Sequence, residues 1–350
     1  MPTIACRTRE LYARTPRPHK HRRLNLLPDL IDSLGLTDPS VYLIIFFVAS
    51  LVMVWRLEAM LDHGLEGTAL GTLIMPYCSG LGNIVFVGIV LSNRTPTREV
   101  AVNCLVNNVT NLTLLLGLPA VLWGLSVLNG GKGAAATEQQ INRLSLLLTL
   151  TAVLFFSGAL WIMGQDGRLD ARDGALLVGA FLFWQSFQIY DVLKHNLRRK
   201  KSFGLMFYLD AALVLVCAYG IYGSIDWLVP WLTKQQGALL NAGNLGWLSG
   251  WLMVVPNAVL ALYWGWRRRA DVVFSSQIGD GHICIPFCLG LCALFAPVEL
   301  PGFFNGGLLI LLGSSLFHVA GLLGLGGLPR WAGAVLIAAY AAFLWLGLIN

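Results

Sequence analysis

The chain has 350 residues, 56% of them hydrophobic and 12% charged, with a net charge of +6. Soluble domains carry about 25% charged residues, so half that share over this length excludes a water-soluble enzyme or binding domain. The basic excess, 24 Lys and Arg against 18 Asp and Glu, sits in short runs flanking apolar segments; that pattern fits topology signals and lipid headgroups rather than nucleic acid.

Residues 1–38 form a polar leader studded with Arg7, Arg9, Arg14, Arg17, Lys20, Arg22 and Arg23. No apolar stretch follows within reach of a signal peptide, and the leader lacks the Ser richness of a transit peptide. It reads as a disordered basic arm that meets anionic lipid.

Apolar segments then follow at 40–61, 66–91, 99–128, 142–164, 174–193, 205–228, 245–266, 271–297, 303–325 and 330–349. A membrane-crossing helix needs about 20 apolar residues, so the sequence predicts an all-α integral membrane protein with about ten transmembrane helices. The polar stretch 129–140 and the basic stretch 194–202 are clear breaks. The second divides the chain into a first five-helix unit over 40–193, a basic linker over 194–204 and a second five-helix unit over 205–350. An odd number of helices per unit inserts the two copies with opposite orientation, the inverted arrangement of many secondary transporters.

Arg267, Arg268 and Arg269, after the seventh segment, fall on the same face as Lys194, Arg198, Arg199, Lys200 and Lys201. The positive-inside rule puts that face in the cytoplasm and the basic arm outside. The expected location is the cell (inner) membrane.

Two stretches look like copies of each other. The first reads Ser79-Gly80-Leu81-Gly82-Asn83, then Asn103-Cys104-Leu105-Val106-Asn107-Asn108-Val109-Thr110-Asn111, then Leu116-Gly117-Leu118. The second reads Val254-Val255-Pro256-Asn257, then Ser276-Gln277-Ile278-Gly279-Asp280-Gly281-His282-Ile283-Cys284, then Leu289-Gly290-Leu291. Gly and Pro interruptions expose backbone groups at membrane depth, which is tolerated where they are buried in protein or line a cavity.

These residues resemble the sodium/calcium exchanger membrane-region family, the cation/calcium antiporters. That family carries Gly-Ser/Thr-Ser-x-Pro-Glu, then Gly-Asn-x-x-Gly-Ser-Asn-x-x-Asn, then Leu-Gly-Leu, in each half. The stretch Gly167 to Leu177 resembles its link before the fifth helix, and Arg330-Trp331-Ala332-Gly333-Ala334 resembles the counterpart before the tenth. The resemblance implies an exchanger-like fold and cation antiport at a midmembrane site. In the family, an acid after the repeat proline binds the cation; here those positions hold Asn83 and Asn257, and Gly82 stands in place of the first proline. The other pocket positions map to Asn107, Asn111, Asp280 and Cys284.

The expected ion site is therefore Asn83, Asn107, Asn111, Asn257 and Asp280, with Ser79, Cys284 and His282 as accessories. One carboxylate among amides cannot neutralise a dehydrated divalent ion, so sodium or proton coupling is favoured over calcium. His282 lies two residues from Asp280 and cannot face it on a helix. His318 reads as a packed or hydrogen-bonded histidine. Cys284, Cys288 and Cys292 read as small packing residues rather than a soft-metal path. Asp210 is expected to reach the interface or to answer Lys200 and Lys201. Trp55, Trp161, Trp227, Trp247, Trp264 and Trp331 read as an interfacial belt. No nucleotide fingerprint, phosphate loop or nucleophile–base–acid set is present, so no cofactor and no ATP-driven pumping are expected. The alternatives are a membrane scaffold or sensor that keeps the fold without transport, and an integral-membrane enzyme or carrier of a small organic solute.

Overall fold

The computed structural model describes residues 26–33, 35, 38–62, 74–128, 134–196, 204–237 and 239–349. Most of the basic arm, the start of the second apolar segment, and Lys200 and Lys201 in the basic linker lie outside the described residues. Residues 1–37 form one unit, in which α1 spans Leu26–Ser33, and residues 38–350 form a second.

In the second unit, α2 spans Pro39–Asp62, α3 Met75–Ser79, α4 Leu81–Asn93, α5 Arg98–Leu112 and α6 Leu114–Trp123. A two-residue strand β1, Leu125–Ser126, is followed by α7 (Ala134–Met163), β2 (Arg168–Leu169), α8 (Ala171–Asn196) and α9 (Leu205–Leu232). Then come α10 (Leu245–Trp266), α11 (Ala270–Gly279), a π-helical stretch over Ile283–Leu289 and α12 (Gly290–Phe295). The chain closes with β3 (Val298–Glu299), α13 (Phe304–Gly324), β4 (Gly327–Leu328) and α14 (Arg330–Leu344).

Among the described residues, eight helical stretches are long and apolar enough to cross a membrane. The chain is thus an integral, multi-pass membrane protein. The two other expected segments hold the shorter apolar helix α4, which follows α3 across the break at Gly80, and α8, which carries Gln185, Ser186 and Gln188 in its middle.

Burial separates central helices from peripheral ones. The stretch Arg98–Trp123 is 78% buried inside the protein and Ala270–Phe295 is 72% buried, against 17% for Leu205–Leu232 and 33% for Pro39–Met60. Helices that are apolar all round must be sorted by packing rather than by an amphipathic stripe, and here small residues do the sorting. A Cβ on Gly333 would lie 2.5 Å from the Gly117 carbonyl, and one on Gly174 would lie 2.5 Å from the Leu294 amide and 2.7 Å from the Gly290 carbonyl. Two close backbone crossings follow, α6 on α14 and α8 on α12, each built on a glycine of a Leu-Gly-Leu motif. A third joins α10 to α5, where Gly246 and Gly250 meet Val102 and Val106. There the buried Glu99 accepts the Gly246 N–H at 2.7 Å and caps the first turn of α10, satisfying a donor that a helix start leaves open. At the periphery α2 packs on α9 through the stacked rings of Tyr42 and Trp227, 4.1 Å apart.

Two short ribbons stitch distant parts of the chain. Leu125 and Ser126 pair antiparallel with Leu328 and Gly327, and Arg168 and Leu169 pair with Glu299 and Val298.

Two expectations change. Trp247 is buried rather than interfacial, set among Trp251, Phe303 and Phe343 with ring centroids 5.1 to 5.5 Å away. Pro256 does not interrupt its helix: α10 runs continuously from Leu245 to Trp266. The breaks lie instead at Gly80, at Thr113, and after Gly279, where the chain leaves the α-helix and passes through Pro286 in π geometry. Proline removes the N–H that an i→i−4 ladder needs, and π insertions concentrate at functional sites.

Candidate functional site

Asp280 sits near the middle of the apolar stretch Ala270–Phe295, at the point where α11 ends. Its side chain is buried. Because the helix stops there, the carboxylate is free of a packed helical face and turns into the centre of the bundle. Its own carbonyl accepts the N–H groups of Ile283 and Cys284, both at 3.1 Å, which restarts the chain as the π segment.

Three helices supply donors to this carboxylate. From the end of α3, the Ser79 hydroxyl donates to Oδ1 at 2.5 Å. The Pro76 carbonyl is farther from that hydroxyl, at 3.3 Å, so the proton points to the acid. From α5, the Asn111 amide donates to Oδ2 at 3.3 Å. From α10, the Asn257 amide donates to the same Oδ2. An ionised carboxylate offers about four lone-pair positions, and three are taken. No Lys, Arg or His pairs with Asp280 among the described residues, so its charge is met by dipoles alone.

The amides continue outward from Asp280. Asn107 and Asn111, one turn apart on α5, share a face, and Asn111 Nδ2 donates to Asn107 Oδ1 at 3.1 Å. The Cys284 thiol donates to that same oxygen at 3.5 Å. Gln277 donates to the Asn257 backbone carbonyl at 3.4 Å. Asn107 Nδ2 and Asn111 Oδ1 are buried without a partner. A cavity of about 10 Å³, lined by Ser50, Met53, Ser79, Gly82 and Asn257 among others, lies beside the cluster. That is about the smallest space that holds one water.

Asp280, Asn111, Asn107, Asn257, Ser79 and Cys284 are thus brought into one bonded set. Asn83 is not in it: its amide is buried, and neither side-chain atom has a partner. Asn83 stands on α4, beyond the break at Gly80, so Ser79 rather than Asn83 presents the α3–α4 pair to the acid. Ser79, expected as an accessory, is the residue of this helix pair that touches the carboxylate. His282 faces away from Asp280, with its ring 6.3 Å from that of Trp184 on α8.

Other polar groups serve structure. Asn103 donates to Ser249 at 3.0 Å across the α5–α10 crossing, and Asn108 donates to its own helix at the Cys104 carbonyl. His318 is buried with Nε2 at 2.6 Å from the Leu112 carbonyl. Cys284, Cys288 and Cys292 are buried with Cys104, where small side chains let helices approach. Lys200 and Lys201, the partners expected for Asp210, lie outside the described residues. Asp210 is buried and pairs with Arg56 of α2 at 3.3 Å across the close α2–α9 packing.

A family model described as sodium/calcium exchanger protein matches residues 40–190 and 209–348. The chain belongs to the sodium/calcium exchanger protein family. It is therefore a member of a membrane transporter family rather than of an enzyme family. Solved structures of the sodium-calcium exchanger NCX_Mj share the fold. With NCX_Mj soaked in 10 mM Na⁺ and zero Ca²⁺, the identity is 18% and the TM-score 0.63, over 88% of this chain and 96% of that one. With NCX_Mj soaked in 2.5 mM Na⁺ and 1 mM Sr²⁺, the values are 18% and 0.62, over 88% and 97%. Among curated proteins, none matches the sequence.

Proposed function

We propose that this chain is a secondary active cation antiporter whose ion site is the set around Asp280, coupled to sodium or protons rather than specific for calcium. The observation that carries the reading is a single buried carboxylate at midspan, ringed by Ser79, Asn111 and Asn257, with no basic partner among the described residues. An intramembrane acid without a counter-ion marks an ion or proton path. One negative charge balances one monovalent cation. A divalent ion normally gathers roughly six to eight oxygens including several carboxylates, and the positions where the family carries acids hold Asn83 and Asn257. Amides offer oxygen but no charge, so a calcium ion here would keep a net positive charge in low dielectric.

The proposed architecture is a pair of inverted five-helix units over 40–193 and 205–350, joined by the linker 194–204. Several matched features support it. The α6–α14 crossing at Gly117 and Gly333 corresponds to the α8–α12 crossing at Gly174 and Gly290. The β1–β4 ribbon corresponds to β2–β3. Among the described residues, the two left-handed ones other than glycine, Arg94 and Arg268, follow α4 and α10, which occupy matching places in the two units. The positive-inside rule places the face carrying Arg267, Arg268 and Arg269 in the cytoplasm of a cell (inner) membrane.

The test is flux in reconstituted vesicles. Asp280→Asn abolishes cation-coupled transport; unchanged flux removes Asp280 from the mechanism. One observation favours a second reading, a transport-inactive scaffold: the carboxylate is already saturated on three positions by protein donors. Isothermal titration with sodium, calcium and protons separates the two, because a scaffold binds none of them.

A further inference from the structure

A second hollow lies far from Asp280, where the ends of several apolar stretches meet. It has a volume of about 480 Å³, and its walls include Trp123, Ser126, Arg268, Gly327, Leu328 and Trp331. Trp123 ends one candidate span and Trp331 is the second residue of another, while Arg268 lies between the spans that end at Trp266 and begin at Ala270. The hollow is therefore at the headgroup level of a bilayer rather than in its interior. Both strands of the β1–β4 ribbon contribute to its lining.

Three observations give it a chemistry. First, its lining carries one charge, Arg268, and no acid. The neighbouring Asp271 is engaged with Arg269 at 3.1 Å. Second, Arg268 is held in place: one terminal nitrogen donates to the Trp123 carbonyl at 2.7 Å, leaving the rest of its planar fork without a described partner. Third, its backbone is left-handed, with φ of 60°. This conformation closes α10, with the Arg269 N–H on the Trp264 carbonyl at 2.9 Å, and it fixes the point from which the Arg268 side chain leaves the helix end.

We propose that this hollow seats the phosphate of an anionic phospholipid, with Arg268 as the specific contact and Trp123 and Trp331 flanking the glycerol and upper acyl region. Guanidinium matches phosphate in shape and charge. Tryptophan prefers the interfacial level. The basic cytoplasmic-side arginines of this face complement an anionic leaflet. The proposal rests on the membrane reading of the chain and is independent of whether Asp280 transports an ion.

The full-length protein is reconstituted into phosphatidylcholine nanodiscs with and without phosphatidylglycerol, and its thermal midpoint is read at each lipid fraction. Phosphatidylglycerol raises the wild-type midpoint. In Arg268→Gly, which relieves the left-handed strain, the midpoint in phosphatidylcholine is kept and the lipid fraction needed for half the response rises by about tenfold or more. Arg268→Gln, which keeps a donor for the Trp123 carbonyl, behaves the same way, so a fold defect in one variant is distinguishable. Arg267→Gln, whose guanidinium lies over Tyr263 and Trp266 instead of the hollow, keeps the wild-type response. The proposal is overturned if both Arg268 variants respond as wild type, or if Arg267→Gln loses as much, which would mean diffuse charge. It is also overturned if inorganic phosphate reproduces the shift, which would make the ligand a soluble anion.

Discussion

The Ser79 hydroxyl lies 2.5 Å from Oδ1 of Asp280, a bond between residues 201 positions apart. It joins the end of a broken helix early in the chain to the end of another late in it. Both partners are available for this contact because their helices stop where they do.

Removing that donor leaves a buried carboxylate short of one partner. A hydrogen bond to a charged group contributes about 1.5–3 kcal/mol. Ser79→Ala should therefore lower the thermal midpoint in ion-free buffer, and sodium should restore part of the loss. Ser79→Thr should behave as wild type. An unchanged midpoint in Ser79→Ala would show that the hydroxyl does not hold the acid.

Asn257 touches the same carboxylate through its amide. Asn257→Asp places a second acid against Asp280, and two adjacent carboxylates cannot both stay charged without a cation or a proton. The expected outcome is calcium-dependent stabilisation that wild type lacks. It would reach about 2.7 kcal/mol at a hundredfold excess over the dissociation constant. A cation panel read by thermal shift checks it, and equal calcium responses in both proteins would sink the charge argument.

Gly174 and Gly179 share α8, yet a Cβ on Gly174 meets backbone at 2.5 Å while one on Gly179 meets nothing within 4 Å. Gly174→Ala should destabilise by about 1–3 kcal/mol through overpacking against α12. Gly179→Ala should be neutral or slightly stabilising. Unfolding midpoints in detergent compare the pair directly.

Asp170 and Asp173 cap the start of α8 reciprocally. Asp170 Oδ1 accepts the N–H groups of Asp173 at 3.1 Å and Arg172 at 2.7 Å, and Asp173 Oδ2 accepts the Asp170 N–H at 2.9 Å. The backbone N–H groups of Asp173 and then Arg172 hold the Asp170 carboxyl below its ordinary pKa of 3.8. A depressed folded-state value stabilises above the unfolded pKa and is lost as pH falls through the folded one. Asp170→Asn keeps an acceptor at every pH, so its midpoint should fall less on acidification through this range. Parallel acid profiles for the two proteins would count against the cap.

Much of the helical layout was legible because bilayer length and low charge leave few choices; each of the ten apolar segments contains helix in the described residues. The Gly117 and Gly290 motifs were visible as repeats, but their partners Gly333 and Gly174 show their purpose once the helices cross. Trp247 went astray for a physical reason. A helix that is apolar all round carries no stripe that says which side meets protein, so an aromatic near its end looks interfacial. Ser79 rather than Asn83 meets Asp280 because the break falls at Gly80, and no local pattern fixes where a membrane helix kinks.

The ribbons have a mechanical consequence. Each ties a helix end preceding residue 194 to one following residue 204: Leu125 to Leu328, and Leu169 to Val298. Swinging the earlier half of the molecule against the later half would tear both stitches. The helices α2 and α9 carry no such stitch. They are clasped to each other by Tyr42 with Trp227 and by Arg56 with Asp210, and they border the small cavity beside Asn257. The two halves are thus sewn at both ribbons, while the outer pair is held together by contacts of its own.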